Sequence, residues 1–269
     1  MKKSLILVLA LMLALTFTAC GNDSDAGKGS DANKGADADV NNGADADVKS
    51  EGVMTYAEYD AAALDTEVTI EAYVQAHQSW WEKEGVGKIT VYAQDKDGGY
   101  YIYEMNCSKE DSEKLVPGTK IKVTGYKGEW AGEVEIMDAN FEILEGSYIA
   151  EPVDVTTYLG LDDLANYQNQ FVSFKGMTVE TYEKDGVSYD CAFVYNDDNS
   201  GEPGKSDLYF NVSLNGATYT FCVESYLCDG TTEVYKAVEN LKVGDVVDLE
   251  GFLYWYNGAN PHITSVTVK

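Results

Sequence analysis

The chain of 269 residues contains no arginine: its nineteen basic residues are all lysine, against 46 aspartates and glutamates, for a formal charge of −27. Arginine is the preferred planar fork for phosphate and carboxylate groups, so its absence removes the commonest tool for gripping a nucleic-acid backbone or a phosphoryl transition state. An acidic chain also repels polyanions at long range, which disfavours nucleic acid and anionic lipid headgroups as ligands. Histidine is scarce too, with only His77 and His262, and there is no Cys-x-x-Cys pair and no Gly-x-Ser-x-Gly elbow. A zinc site or a nucleophile with its base has no visible residues to build from, and the chain reads as noncatalytic, with no cofactor. Paired carboxylates abound, but in a chain this acidic their abundance carries no information.

What is present begins with an address. Lys2 and Lys3 precede an apolar run from Leu5 to Leu15, the pattern of a secretory signal too short to span a bilayer comfortably. Leu15-Thr16-Phe17-Thr18-Ala19-Cys20-Gly21 resembles a bacterial lipoprotein cleavage site. The resemblance implies that Cys20 becomes the acylated first residue, anchoring the protein to the cell membrane on its extracytoplasmic face; the bland alternative is a secreted protein cut near Ala19. Cleavage removes two lysines and no acid, which takes the charge from −27 to −29. Residues 21–51 hold Asp, Ala, Gly, Asn and Lys with almost nothing to bury, and read as a disordered acidic linker of roughly 30 Å coil dimension.

The rest of the chain is organised by a repeat. Leu115-Val116-Pro117-Gly118-Thr119-Lys120-Ile121-Lys122-Val123-Thr124-Gly125-Tyr126 returns as Leu241-Lys242-Val243-Gly244-Asp245-Val246-Val247-Asp248-Leu249-Glu250-Gly251-Phe252, at an offset of 126 residues. Each copy reads as a glycine turn, a half-buried strand and a second glycine where the strand bends. Two small β-domains follow, over 52–146 and 147–269. In the first, Thr55 caps a short helix, strands are expected at Glu67 to Gln75, Lys88 to Gln94 and Tyr100 to Met105, a helix starts after Ser108, and a final hairpin runs from the repeat strand through Glu133 to Ile143. Asp95-Lys96-Asp97-Gly98-Gly99 is expected to turn the middle hairpin with positive backbone angles at Asp-Gly. In the second, strands are expected at Asn169 to Val179, at Ser188 to Asn196, at either Leu208 to Leu214 or Ala217 to Tyr226, and at Ile263 to Val268, with a helix over Thr232 to Leu241. Five strands with a helix between the third and fourth is the order of an OB-fold barrel, so the fold class is all-β with short helices: two tandem five-stranded barrels.

Both halves resemble the OB-fold modules of exported bacterial proteins, related to the tRNA-anticodon-like superfamily. Phe171-Val172-Ser173-Phe174-Lys175-Gly176 and Leu241-Lys242-Val243-Gly244-Asp245-Val246-Val247-Asp248-Leu249-Glu250-Gly251 are the strongest local matches. An OB barrel presents ligands to strands two and three and to the loops joining strands one to two and four to five. Those loops hold Trp80, Trp81 and Trp130 in the first half, and Tyr254, Trp255 and Tyr256 in the second. The aromatics either stack on a carbohydrate or a protein partner or plug the barrel ends; two adjacent indoles seldom both fit a core. The reading is a membrane-anchored, extracytoplasmic binding module with a carbohydrate or protein ligand. The rivals are a structural or assembly lipoprotein of the envelope, a single-stranded nucleic-acid binder and a cation-binding protein. For the last, Asn196, Asp198, Ser200 and Asp207 fall at positions one, three, five and twelve of a calcium-type loop, without flanking helices. A solvated insertion is the bland reading. Cys107, Cys191, Cys222 and Cys228 read as small buried hydrophobes, with Cys191 and Cys222 near enough in strand order to pair. Neither the oligomeric state nor the mutual orientation of the barrels can be read from the residues.

Overall fold

The structure, a computed structural model, describes residues 49–269. The secretory signal, Cys20 and nearly all of the acidic linker lie outside the described residues. Among those described, no helix is long and apolar enough to cross a membrane.

The first half opens with α1 (Tyr56–Ala61), where Thr55 and Glu58 form a reciprocal capping box. Six strands follow: β1 (Glu67–His77), β2 (Trp81–Lys83), β3 (Val86–Gln94), β4 (Gly99–Asn106), β5 (Thr119–Trp130) and β6 (Glu133–Ser147), with the one-turn α2 (Lys109–Ser112) between β4 and β5. Side chains alternate in and out along β1 and β5, and the inward set, including Ile70, Ile121 and Val123, is sealed from solvent together with Ile136 of β6. The ring closes in the order β1-β3-β4-β6-β5-β1, with β4 and β6 parallel and the other pairs antiparallel. That is the OB order, with β2 added as a short edge on β3.

The second half contains β7 (Val153–Asp154), two 3₁₀ turns, β8 (Phe171–Glu180), β9 (Glu183–Lys184), β10 (Val187–Ser188), β11 (Phe193–Tyr195), β12 (Leu208–Leu214), β13 (Ala217–Val223), α3 (Glu233–Glu239), β14 (Val246–Phe252) and β15 (His262–Val268). Its ring, β8-β12-β13-β15-β14-β8, repeats the first strand for strand, again with one parallel pair, β13 with β15. A separate core fills it, built on Phe174, Phe210 and Phe221.

The duplication extends to backbone detail. Gly118 and Gly244 turn at φ 92 and 93, and their N–H groups donate to Val74 O at 2.7 Å and Val179 O at 2.8 Å, at matching places on the first strand of each barrel. Gly125 and Gly251 each sit at a register shift, where an added Cβ would lie 2.7 Å from Met137 O and 2.2 Å from His262 O. A bulge that brings a neighbouring backbone this close accepts only glycine without a shift.

Two expectations change, and of the two readings open for the cysteines the free-thiol one holds. Strand two of the second barrel is β12 and not Ser188 to Asn196, which is an insertion whose β11 merely edges β12. The hairpin that fixes this turns at Asn215-Gly216, both at positive φ, and such a turn matches strand twist. The β3–β4 turn is held by Asp95 Oδ1, which accepts from Asp97 N and Gly98 N at 2.8 and 2.9 Å. Gly98 there is not at positive φ; it is small because the Tyr56 ring would lie 2.2 Å from a Cβ. All four described cysteines are free thiols, Cys191 and Cys222 included.

The chain enters the first barrel through a clamp. Lys49 Nζ donates to Glu71 O and to Asp95 Oδ2, both at 2.7 Å, with side-chain exposures of 12% and 1% for the ion pair.

Candidate functional site

The two barrels meet through the face that an OB fold ordinarily offers to ligands. Tyr92 on β3 and Tyr101 on β4 are cross-strand partners, and with Phe252 of β14 they form a buried cluster that spans the join. Tyr92 stacks on Phe252 at 4.6 Å between centroids, Tyr254 stacks on His262 at 4.2 Å, and Tyr101 meets Tyr254 edge-on at 5.2 Å. Such offset and edge contacts suit the quadrupoles of the rings. Tyr92 Oη lies 2.6 Å from His262 Nδ1, and complete burial depresses the imidazole to about 3, so the ring is neutral at physiological pH.

The tips of the two last hairpins also dock. Asn257 N donates to Ala131 O at 2.7 Å, Gln168 Nε2 to Gly132 O at 2.8 Å, and Trp255 N to Glu133 Oε2 at 2.8 Å. Burial pushes the Glu133 carboxyl up to about 9, in spite of the donors around it, so it is neutral at pH 7. Trp130 and Tyr256 stack at 5.2 Å, yet remain 55% and 48% exposed. Trp255 instead packs against the core of the second barrel. Core and rim were both open for these tryptophans, and Trp130 belongs to the rim while Trp255 packs on the core.

Two cavities flank this seam and share Gln78 and Tyr101 as a common wall. The first, of about 590 Å³, is lined by five aromatic rings: Trp80, Trp81, Tyr101, Tyr103 and Tyr226. The second, of about 500 Å³, is lined by Trp130, Tyr254 and Tyr256 among its rings and by the carboxylates Asp197, Asp198, Asp207 and Glu224. No lysine lines either one. A larger depression of about 800 Å³ beside α2 has Phe141 as its only ring and is walled largely by short or polar residues.

Local chain geometry explains the aromatic cavity. Trp80 is fixed by its Nε1, which donates to Cys107 O at 2.9 Å, whereas Trp81 is 40% exposed on the short edge strand β2. Opposite them β4 carries a bulge: Val91 pairs with Ile102 and Ile89 with Met105, leaving Thr90 to face both Tyr103 and Glu104. Glu104 pays for the extra residue with φ 43, a left-handed conformation unfavourable for a side chain of this type. The bulge puts two consecutive side chains, Tyr103 and Glu104, on the same cavity. Tyr103 Oη donates to Glu104 Oε1 at 3.0 Å, and Lys83 Nζ reaches Glu104 Oε2 at 3.2 Å while lying 5.6 Å from the Trp81 centroid. The second barrel closes the cavity with Tyr226, 68% exposed, whose carbonyl accepts from Ser79 N at 2.8 Å.

In the acidic cavity Glu224 is held by Tyr226 N, Leu227 N and Gln78 Nε2, and burial together with Asp207 raises it to about 7. The calcium-type loop has other engagements. Asp207 Oδ1 accepts from Ser225 N and Oγ at 2.8 and 2.7 Å, Asp198 Oδ1 accepts from Ser200 N at 3.0 Å, and Asn196 Nδ2 lies 3.4 Å from Ser200 Oγ. Among the described residues no group of three or more His, Cys, Asp or Glu is arranged to hold a metal ion.

Sequence reasoning placed Trp80 and Trp81 at a loop and missed Tyr101, Tyr103 and Tyr226. The Tyr101 and Tyr103 spacing of two, on a strand expected to line the OB ligand face, is the signal that could have found the first pair. Tyr226 comes to the site only through docking of the barrels.

The strand order and the shared bulges define a protein of two OB-like barrels. Among solved structures, a murine DNA-binding protein bound to double-stranded DNA aligns at 10% identity and a TM-score of 0.35, over 75% of this chain and 96% of that one. The Ifi202 HINa domain in complex with a 20-base-pair duplex aligns at 12% identity and 0.33, over 77% and 96%. A replication protein A heterotrimer bound to single-stranded DNA aligns at 11% and 0.32, over 78% and 51%. Likeness at this level carries no argument about function, and the OB-like assignment rests on the ring order above. No family model and no curated protein matches the chain.

Proposed function

We propose that this protein is a noncatalytic binding module, held on the extracytoplasmic face of the cell membrane through a lipidated Cys20, whose groove at the join of the two barrels takes a carbohydrate or protein ligand. The observation that supports it is the set of five aromatic rings around a single 590 Å³ cavity. Flat faces beside open volume suit sugar rings and side-chain stems, and a pocket lined this way is the default binding site of a fold. The anchor is supported by the lipoprotein-like run ending at Cys20.

The solved structures above hold DNA, but five carboxylates and no lysine line the groove here. Binding of single-stranded nucleic acid calls for a basic track beside its stacking rings. No affinity for oligonucleotides is expected even at about 50 mM salt.

The test is a screen of the full-length protein against a glycan array and against peptides, with acrylamide quenching of the four tryptophans followed on each hit. A ligand in the groove shields Trp81 from the quencher, and Trp81→Ala or Tyr226→Ala weakens it about two- to tenfold, the range for one stacking ring. Interactions that all survive Trp80→Ala and Trp81→Ala would place the ligand elsewhere.

A further inference from the structure

Two residues that line the aromatic cavity, Trp81 and Glu104, already hold a cation between them. Lys83, at the tip of the β2–β3 hairpin, lays its ammonium between the Trp81 ring and the Glu104 carboxylate, at 5.6 and 3.2 Å. The lysine is itself half exposed, so the contact is made at the mouth of the cavity and not in a sealed interior. A ring face and a carboxylate held by a bulge are the two components of a cation–π site with its counter-charge. The bulge matters because it costs the chain a left-handed glutamate; a regular strand would have sent Glu104 to the opposite face from Tyr103. Beyond the shared wall of Gln78 and Tyr101, the lining of the neighbouring cavity continues the same chemistry with Trp130 and Tyr256 and with Asp197, Asp198, Asp207 and Glu224.

We infer that the groove recognises a lysine-bearing segment of a protein partner. One lysine of that segment takes the place of Lys83 against Trp81 and Glu104, and a second reaches the carboxylates beyond Tyr101. The rings cover the butyl stems while the carboxylates meet the ammonium groups, the division that a lysine side chain imposes on its surroundings. Charge complementarity selects this occupant: five carboxylates and no lysine line the groove, on a chain of −27, and of the five only Glu104 and Asp197 have a lysine partner among the described residues, Lys83 and Lys184. Lys83, which does not itself line the cavity, shows that Trp81 and Glu104 together accept an ammonium group. The inference rests on the reading of the groove as a ligand site and narrows the ligand to one chemistry.

The experiment titrates full-length protein in detergent with acetyl-(Lys-Gly)₄-amide, with the same peptide acetylated on every Nζ, and with the glucosamine tetramer and its N-acetylated form, following tryptophan fluorescence and heat. The lysine peptide is expected to bind, less tightly as salt rises, and the acetylated peptide not to bind. Trp81→Ala and Glu104→Gln should each weaken it about two- to fivefold, and Lys83→Met, which removes the internal competitor, should strengthen it by a similar factor. Because a folding defect cannot raise affinity, the Lys83 variant guards the other two.

Equal binding to wild type and to Trp81→Ala with Glu104→Gln would reduce the effect to diffuse attraction by an acidic protein and overturn the inference. So would equal binding of free and acetylated peptide. A glucosamine tetramer that outcompetes the peptide, with the same dependence on Trp81 and Glu104, would make the partner a cationic glycan and overturn the protein assignment alone. A neutral glycan that shields Trp81 while the lysine peptide does not bind would overturn the inference and leave the binding-module reading standing. No groove ligand from any screen would remove both.

Discussion

The loops that join strand one to strand two make an instructive pair, because the two barrels are otherwise built to one plan. In the first barrel this connection is the short edge hairpin that carries Trp80 and Trp81. In the second it spans β9, β10, β11 and the turn from Asn196 to Asp207. One loop supplies rings and the other supplies Asp197, Asp198 and Asp207, and both arrive at cavities that share Gln78 and Tyr101. Equivalent positions in a duplicated module have thus diverged in chemistry while the rings beneath them, down to Gly118 and Gly244, kept their geometry. Scaffold residues are constrained by packing, whereas loops can change without disturbing the core.

Removing a core ring tests how far the barrels are independent. Phe221→Ala should destabilise the second barrel by about 3–5 kcal/mol. Amide exchange at Ile70 and Val123, in the separate core of the first, should stay slow if each barrel holds its own structure. Loss of protection in both halves together would show that the seam makes them one cooperative unit.

The shared bulges can be set against each other. Gly251→Ala should cost about 1–3 kcal/mol, since the new methyl would lie 2.2 Å from a backbone oxygen, and Gly125→Ala, at 2.7 Å, should cost less. Thermal melts of the two variants rank them directly. Equal or reversed losses would show that the clearance at the bulge does not set the cost.

The docked hairpin tips carry a pH signature. Burial raises Glu133 from an unfolded value of 4.5 to about 9, and Glu135 and Glu224 rise to about 7. The folded state therefore holds its protons more tightly than the unfolded one. The corresponding stability is fully present below 4.5 and is lost as pH rises, by about 7 for the last two and by about 9 for Glu133. Glu133→Gln keeps the shape without the ionisation, so its melting temperature should fall less between pH 5 and pH 9, taken as roughly the window of these shifts. An unchanged slope would place the titrating groups elsewhere. The smallest effect concerns the rim: a double-mutant cycle on Trp130 and Tyr256 should give a coupling of about 0.5–1.5 kcal/mol. Additive losses would mean that the stack contributes nothing across the join.

Much of the fold was legible because its signals are local. Thr55 with Glu58, Ser108 with Asp111, and the paired glycine turns mark element ends whose physics is complete within a few residues. The second barrel was harder because an insertion from Thr181 to Asp207 contains strand-like residues, some of them buried, and Phe193–Tyr195 pairs only at an edge. Asn215-Gly216 was the better guide there and went unread. At the groove, Trp80 and Trp81 stand out because neighbouring indoles are difficult to bury together. Tyr226, Glu104 and Glu224 could not be placed from sequence, since one depends on the docking of the barrels, one on a bulge, and one on the approach of Asp207 across the sheet. Pairwise distances across a join leave no trace in periodicity.

The Lys49 clamp has a mechanical consequence. A pull arriving from the N-terminal side meets the folded body at a side chain tied at once to the β1 backbone, through Glu71 O, and to the β3–β4 turn, through Asp95. Tension is split between one strand and one turn of a closed ring before it can unzip either. A domain that hangs from a leash would thus resist fraying at the point where the leash is sewn in.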